Sequence, residues 1–190
     1  AQYLSMSGVG DLLLIDYDKI DLSNLNRQTL FTEEEIGKRK SKKLSEKLKK
    51  INSDARISFL SKKLTAKTIS SYLNSYDMIL DCTDNFESRI LINEFCHEKK
   101  KILVSAALQS FDIQAFIFAS WLGDDNPCYK CIFPNISEGI YKSCNEMGIL
   151  SSTAGIGGLI QANLALNYVL GLKVNFREFI LLNCMNLNLK

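Results

Sequence analysis

Histidine, proline and long apolar runs are scarce or absent in this sequence. Its 190 residues contain two prolines and one histidine, His97, which lies in the charged stretch HEKKK. The sequence therefore argues against a hydrolase that pairs a serine or cysteine with a histidine base, and it excludes a metal cluster of cysteines and histidines. No apolar run approaches the roughly twenty residues that a membrane-spanning helix needs. The N-terminus, AQYLSMSGVG, also lacks the basic flank and apolar centre of a signal peptide, so we expect a cytoplasmic protein without a membrane partner.

The charge balance and the cysteines further limit the class of protein to which this chain can belong. A formal net charge of +2 predicts neither a nucleic-acid partner nor a strongly acidic one. The basic run at 38–50 is local, and Leu44 and Leu48 fall on one helical face, which is typical of a solvated amphipathic helix. The six cysteines are unevenly spaced and include one CxxC pair. This pattern indicates a metal site or a catalytic thiol in a reducing compartment rather than a disulfide framework.

Strand and helix patterns alternate along the chain. Apolar runs predict strands at 11–16, 55–60, 77–81, 101–106, 114–119 and 178–182. The remaining periodic segments predict helices at 1–7, 32–37, 40–51, 68–75, 88–99 and 153–170. Such alternation indicates an α/β fold with a Rossmann-like, mostly parallel sheet flanked by helices. The irregular stretch 123–142 holds both prolines and the CxxC, and we expect it to form a crossover loop within a single domain spanning 1–190.

The segment from Leu12 to Phe31, LLLIDYDKIDLSNLNRQTLF, is rich in polar groups. Its apolar start predicts a buried strand. Asp16 lies where that strand ends, the position at which an acid can bind ribose hydroxyls in nucleotide-binding α/β units. An ordinary connection needs about four to six residues and has no use for such a density of hydrogen-bonding groups. Acids mixed with Arg27, whose planar guanidinium is permanently charged, are typical of a site that handles phosphates.

This segment resembles the DxDxxxxSNLxRQ signature of the ThiF/MoeB/HesA family, the prokaryotic relatives of ubiquitin-activating enzymes. Further blocks follow in the family's order: Lys40, LDCTDN at 80–85, CYKC at 128–131, and Cys144 before a glycine-rich helix. The resemblance implies an ATP-dependent adenylyltransferase that activates the C-terminal glycine of a small ubiquitin-like sulfur carrier, as in thiamine or molybdopterin biosynthesis. It also implies a homodimer, a carrier that ends in Gly-Gly, and a separate protein as sulfur donor.

The same resemblance assigns roles to individual residues. Arg27 and Lys40 would contact the phosphates, and Asp84 would be the catalytic acid that holds Mg²⁺. Asp84 follows the strand MILDC at a carboxyl edge, where open α/β sheets bind ligands, and its hard oxygen ligands suit magnesium. The expected nucleotide-binding set is Asp16, Ser23, Asn24, Leu25, Asn26, Arg27, Lys40, Asp84 and Asn85. The alternative is that Asp84 or Asn85 is a helix N-cap, and both roles hold if Asn85 is the cap.

The cysteines carry further expectations. Cys128 and Cys131 have the spacing of a metal knuckle, and relatives complete a four-ligand zinc site with a second CxxC that does not follow here, so we expect Zn²⁺ in the intact protein. A redox disulfide is the alternative, disfavoured because the pair is not expected to begin a helix. Cys144 matches a position at which some relatives form a thioester, persulfide or acyl disulfide with the carrier, whereas other relatives do not need it. Cys82 and Cys96 are expected in the core.

Other functions fit parts of the pattern. The chain begins within what resembles the family's first helix, without the GxGGxG phosphate loop, and it ends before the second CxxC, so it resembles a member trimmed at both ends. A non-catalytic scaffold or partner subunit would explain the missing loop, although Asn24, Arg27, Lys40 and Asp84 argue against it. A nicotinamide-dependent oxidoreductase rests on fold analogy alone. A relative that adenylates a peptide antibiotic would differ only in its substrate.

Overall fold

The computed structural model describes residues 1–134 and 148–189. By their contacts the residues divide into two units, Ala1–Leu64 and Thr65–Lys190. The predicted nucleotide loop and Lys40 belong to the first unit, and the LDCTDN and CxxC blocks belong to the second.

The first unit contains a two-stranded parallel sheet. In chain order its elements are α1 (Gln2–Met6), β1 (Asp11–Ile15), α2 (Lys40–Ile51) and β2 (Arg56–Leu60). β1 and β2 pair in parallel along their whole length. The apolar face of α2 packs onto this sheet, where Leu48 is fully buried with Ala55 and Ile57, and Leu44 lies against them. The leucines that mark an amphipathic helix in the sequence therefore form the core of this unit.

The second unit contains a five-stranded mixed sheet. Its elements are α3 (Ile69–Leu73), β3 (Met78–Asp81), α4 (Phe86–Glu98), β4 (Ile102–Gln109), β5 (Asp112–Phe118), α5 (Tyr129–Ile132), α6 (Ser151–Val169), β6 (Phe179–Asn183) and β7 (Asn188–Leu189). The strand order is β3-β4-β5-β6-β7, and α4 and α6 pack against the sheet. None of the helices within residues 1–134 and 148–189 combines the length and apolar character that crossing a membrane requires.

The α/β class with a Rossmann-like sheet flanked by helices is confirmed, with more antiparallel pairing than the sequence indicates. β3 and β4 pair in parallel, whereas β4, β5, β6 and β7 pair antiparallel in turn. β4 continues to Gln109 and turns at Ser110, whose φ of 53° lies in the left-handed region, so β5 returns directly beside it. A turn of this length cannot hold the crossover helix that a parallel pair requires.

Most predicted elements occur close to their expected bounds, and α2 has them unchanged, at Lys40–Ile51. The helix expected from Thr32 is only a 3-10 turn, Glu33–Glu35, which Gly37 follows with a φ of +83°. A second 3-10 turn, Leu22–Asn24, lies within the predicted nucleotide loop, and β7 has no counterpart among the predicted strands. Residues 135–142 of the expected crossover loop lie outside the described residues.

Neighbouring glycines in α6 differ in their surroundings and test how this helix packs. A Cβ atom at Gly157 would lie 2.5 Å from Leu108 Cδ2, whereas a Cβ atom at Gly158 would meet no atom of the described residues within 4 Å. Replacing a helical glycine with alanine stabilises a protein by about 1 kcal/mol, and overpacking a core costs about 1–3 kcal/mol. We expect Gly158→Ala to raise the free energy of unfolding and Gly157→Ala to lower it. Urea denaturation of both variants measures this, and equal stabilisation by both would contradict the packing of α6 on β4.

Candidate functional site

The loop after β1 is shaped by its own acids. The main-chain amide of Asp18 donates a hydrogen bond to Asp16 Oδ1 at 2.8 Å, which orients the carboxylate that follows β1. Asp21 caps the next 3-10 turn, because the amide and hydroxyl of Ser23 donate to Asp21 Oδ1 at 2.9 and 2.6 Å and the Asp21 amide donates to Asn24 Oδ1. The hydrogen bonds from Ser23 lower the pKa of Asp21. Several polar groups that mark this loop in the sequence therefore hold its shape.

Arg27 folds back onto the same loop. Its Nη1 donates to the main-chain oxygen of Ser23 at 3.1 Å and to Asn26 Oδ1 at 3.0 Å. Arg27 and Leu25 are half-buried, whereas Asn26 is exposed. Both contacts are made by Nη1 of the guanidinium.

A short antiparallel clip, formed by residues 18–20 and 37–40, joins Lys40 to the loop. The Ile20 amide donates to the Lys38 oxygen at 2.9 Å, and the Lys40 amide donates to the Asp18 oxygen at 3.1 Å. Lys40 Nζ also lies 3.1 Å from Asp18 Oδ2, with the lysine side chain 11% exposed and the aspartate side chain 48% exposed. The clip therefore places the predicted phosphate-binding cation beside the acids that follow β1. Asp18 is not among the site residues predicted from the sequence, although the DxD spacing is the signal that could have found it.

Glu35 anchors α2 to the segment that precedes it. Its buried carboxylate accepts a hydrogen bond from the Thr32 amide at 3.1 Å and forms an ion pair with Lys47 of α2. Burial acts to raise the pKa of Glu35, but the hydrogen bonds from Lys47 and the Thr32 amide outweigh it, so the pKa lies below its usual value. Lys47 also donates to the Leu30 oxygen. Lys47 is thus an exception to the solvated lysine face expected for α2.

A buried ion pair lies where β3 ends. The side chains of Asp81 and Arg89 are 1% and 8% exposed, and Arg89 Nη1 lies 2.9 Å from Asp81 Oδ2. The hydroxyl of Ser105, on β4, donates to the same carboxylate oxygen at 3.0 Å. The amide and hydroxyl of Thr83 donate to Asp81 Oδ1 at 2.9 and 2.7 Å. Asp81 is thus fully hydrogen-bonded, as a buried charged group requires.

This polar cluster is not among the features predicted from the sequence. The run MILD predicts a buried strand, and the signal for the ion pair was an acid inside that strand with an arginine eight residues later on a helix. Gln161 of α6 completes the cluster, because its Nε2 donates to the main-chain oxygens of Asp81 and Val104 at 2.8 and 3.0 Å. Gln161 carried no recognisable sequence signal, since its role depends on where α6 packs.

The sequence allows two roles for Asp84 and Asn85, namely helix N-cap and metal ligand. Asn85 is the N-cap of α4, as predicted, and its Oδ1 accepts a hydrogen bond from the Ser88 amide at 2.9 Å. Asp84 is exposed, and within the described residues its carboxylate contacts only Asn85 Nδ2, at 3.4 Å. Nucleotide-site Mg²⁺ takes one or two carboxylates together with waters and phosphates. A single exposed Asp84 fits that ion. Residues 1–134 and 148–189 hold no cluster of three or more potential metal ligands.

Cys128 and Cys131 lie side by side, with their Sγ atoms 3.4 Å apart. Cys128 is the N-cap of α5, a helix of only 4 residues. Burial acts to raise the pKa of Cys128, but hydrogen bonds from Cys131 and Asn93 outweigh it and the pKa is lowered. Two thiols are half the number of ligands that a tetrahedral zinc site needs. The described part of the chain brings no third ligand to them.

The other predicted cysteines have different surroundings. Cys96 is buried on α4, as expected, and burial raises the pKa of its thiol to about 12. Cys82 is exposed, so its placement in the core is wrong, because β3 ends one residue earlier, at Asp81. Its thiol donates to Gln161 Oε1 at 3.2 Å. Cys144 lies outside the described residues.

Comparison with known proteins assigns the family. A family model described as the ThiF family matches residues 1–189. The chain belongs to the ThiF family. The match includes the loop after β1, Lys40 and the Asp84 segment, so the blocks that carry the resemblance in the sequence all fall within the matched region.

Curated relatives of this ThiF-family chain are named as adenylyltransferases. "Adenylyltransferase and sulfurtransferase MOCS3" of Drosophila willistoni is 36% identical over 173 residues, which cover 90% of this chain and 37% of the relative. "Sulfur carrier protein adenylyltransferase" of Thermus thermophilus is 33% identical over 174 residues, which cover 90% of this chain and 64% of the relative. The chain therefore spans less than two thirds of the length of either relative.

Solved structures share the fold of this ThiF-family chain. Escherichia coli MccB, crystallised with succinimide, superposes with a TM-score of 0.83 at 19% identity, over 99% of this chain and 57% of MccB. MccB with ATP superposes with a TM-score of 0.80 at 18% identity, with the same coverage of 99% and 57%. At these identities the likeness confirms the fold and carries no further conclusion.

Proposed function

We propose that this ThiF-family chain is the adenylating part of an ATP-dependent adenylyltransferase, whose substrate is the C-terminal glycine of a small ubiquitin-like sulfur carrier. The observation that carries the proposal is that 90% of the chain aligns with proteins named as adenylyltransferases, one of them for a sulfur carrier. The same names favour this function over a non-catalytic scaffold. These names do not favour the alternative of a peptide-adenylating relative.

The proposed reaction joins the carrier to AMP. A carboxylate oxygen of the terminal glycine attacks the α-phosphorus of ATP, the bond between that phosphorus and the bridging oxygen breaks, and pyrophosphate leaves. Such a reaction asks the protein mainly to position the reactants and to neutralise phosphate charge. We assign Arg27 and Lys40 to the phosphates, because a guanidinium and an ammonium both form charge-assisted hydrogen bonds with phosphate oxygens.

The loop after β1 is assigned to the nucleoside. The Asp16 carboxylate, oriented by the Asp18 amide, would accept hydrogen bonds from the ribose hydroxyls. The side chains of Ser23 and Asn24 already hydrogen-bond to Asp21, so we propose that these two residues act mainly by holding the shape of the loop. The other residues of the first unit that we assign to nucleotide binding are Leu25, Asn26, Arg27 and Lys40.

Asp84 is assigned to Mg²⁺, and Asn85 is assigned to the nucleotide beside it. Bound Mg²⁺ supplies charge neutralisation on the phosphates. Asp84 has no ion pair within residues 1–134 and 148–189 that it must break in order to bind the metal, since its one contact there is the amide of Asn85. This is the reason for assigning the metal to Asp84 rather than to the buried Asp81.

Further assignments rest on the family resemblance. Cys128 and Cys131 would supply two of the four zinc ligands, with the other two from outside the described residues. Cys144 would act as a nucleophile toward the activated carrier. We also propose a homodimer, a separate sulfur-donor protein, a cytoplasmic location and a single adenylation domain over 1–190.

Carrier-dependent exchange of pyrophosphate into ATP tests the proposed function. The assay uses the natural protein at full length with carriers of the thiamine and molybdopterin types, each ending in Gly-Gly. We expect exchange with at least one of them, and none with the same carrier shortened by its terminal glycine. Exchange that ignores the carrier's C-terminus, or no exchange with any carrier from folded protein, would contradict the proposal.

A further inference from the structure

The side chain of Arg89 holds the main chain directly before Asp84. Its Nη2 donates to the main-chain oxygen of Thr83 and to that of Ala106, the latter at 3.0 Å. Its main-chain amide donates to the oxygen of Asn85 at 3.3 Å. Asp84 lies between Thr83, which this side chain holds, and Asn85, the N-cap of α4, in a segment that we call the Asp84 turn (Thr83–Asn85).

Asp81 holds the same turn from the other direction. Its Oδ1 accepts the amide and hydroxyl of Thr83, and its Oδ2 accepts Arg89 Nη1. The carboxylate therefore fixes the first residue of the Asp84 turn directly and also fixes the arginine that binds the turn's carbonyl oxygen. The side chain of Asp84 itself remains exposed.

Core stability alone does not account for this arrangement. Removing two charges from water is costly, and apolar residues of similar volume fill a core equally well or better. Apolar side chains could not, however, hold the carbonyl oxygen of Thr83, which Arg89 binds. The ion pair thus holds the main chain of the Asp84 turn in place, which a well-packed apolar pair would not do.

We propose that Arg89, braced by Asp81, is a positioning residue for adenylation, which holds the Asp84 turn so that the Asp84 carboxylate is preorganised for the metal of Mg-ATP. The inference rests on the proposed function of Asp84. A displacement of about 1 Å in a reacting constellation can cost about 100-fold in rate. Loosening the turn is therefore expected to lower the rate and to weaken the response to Mg²⁺.

The decisive variant removes both charges together. Asp81→Leu combined with Arg89→Met leaves no unpaired buried charge, so the natural full-length protein is expected to fold. Its melting temperature is expected to fall, because the polar groups of Thr83 and the oxygen of Ala106 lose their partners. We expect its carrier-dependent exchange to have a kcat about 10- to 100-fold lower, a higher half-saturating Mg²⁺ concentration, and little change in KM for ATP at saturating Mg²⁺. A folded double variant with wild-type kcat and Mg²⁺ dependence would overturn the proposal.

Arg89→Lys gives a second, independent variant. It keeps the positive charge beside Asp81, but one ammonium cannot reproduce the planar fork that also reaches the oxygens of Thr83 and Ala106. We expect the same loss in kcat and Mg²⁺ response, and this variant decides the question if the double variant does not fold. Glu94→Gln is the matched control on α4, since Glu94 forms an exposed ion pair with Lys130 and should leave every readout unchanged.

Hydrogen exchange separates failure of this inference from failure of the proposed function. The main-chain amides of Thr83 and Ser88, which donate to Asp81 Oδ1 and Asn85 Oδ1, report the order of the turn whether or not the protein adenylates a carrier. We expect them to exchange faster in the double variant and in Arg89→Lys than in wild type, with the rest of β3 and α4 unchanged. Unchanged protection of these amides would overturn the positioning role even if wild-type adenylation were absent.

Discussion

Asp84→Asn is expected to lower carrier-dependent ATP–pyrophosphate exchange by about 100- to 1,000-fold, because a metal that clamps the phosphates is worth several kcal/mol and each 1.4 kcal/mol or so is tenfold in rate. The fold should not suffer. Asn85, not Asp84, caps α4, and the one contact of the Asp84 carboxylate within the described residues is at 3.4 Å. We therefore expect the free energy of unfolding to change by less than about 0.5 kcal/mol.

Asp77→Asn is the matched control for this prediction. Asp77 is also exposed and makes the same change of charge, but it precedes β3, whereas Asp84 follows it. The hydrogen bond that its main-chain oxygen accepts from Ile102 is unaffected by the substitution. The rate of carrier-dependent exchange should be about two orders of magnitude lower in Asp84→Asn than in Asp77→Asn. Similar rates in both variants would remove Asp84 from the proposed site.

Lys40→Met is expected to lower kcat/KM for ATP by about 10- to 100-fold, because a hydrogen bond to a charged group contributes about 1.5–3 kcal/mol. Methionine keeps the length of the side chain and its apolar packing, so the variant removes little besides the ammonium. The ion pair with Asp18 is partly exposed and is worth less than about 1 kcal/mol of stability. Steady-state kinetics with ATP varied at saturating carrier measure the effect, and thermal denaturation checks the fold.

Lys42→Met provides the comparison on the same helix. Lys42 is exposed on α2 and belongs to the basic run that is expected to be solvated. Its loss makes the same change of net charge two positions along, so a general electrostatic effect on ATP would appear in both variants. Equal losses from Lys40→Met and Lys42→Met would show that the basic helix acts only through its overall charge.

Sequence patterns predict the structure correctly where it depends on residues that are near neighbours in the chain. The helix of residues 40–51 has its predicted bounds because Leu44 and Leu48 face the core at helical spacing. Asn85 caps α4 because an N-cap is a contact between near neighbours in the chain. The family resemblance likewise rests on short blocks, and the family match over residues 1–189 confirms it.

Sequence patterns do not predict contacts between segments that are distant in the chain. The ion pair of Lys40 with Asp18 depends on the clip between residues 18–20 and 37–40, and the contacts of Gln161 depend on where α6 packs. Antiparallel pairing of β4 with β5 follows from the turn at Ser110, whose positive φ no sequence pattern marks. The polar cluster around Asp81 and Arg89 joins β3, α4 and β4, so its members looked like ordinary strand and helix residues.

Intact-mass spectrometry of the carrier after incubation with ATP, Mg²⁺ and the natural full-length protein tests the central claim most directly. Added pyrophosphatase draws the reaction toward the adduct. We predict that AMP becomes joined to the carrier's C-terminal glycine, and that a carrier without this glycine and the Asp84→Asn protein both give no adduct. Carriers of every type left unmodified by folded wild-type protein, or AMP attached elsewhere on the carrier, would contradict the proposed adenylation.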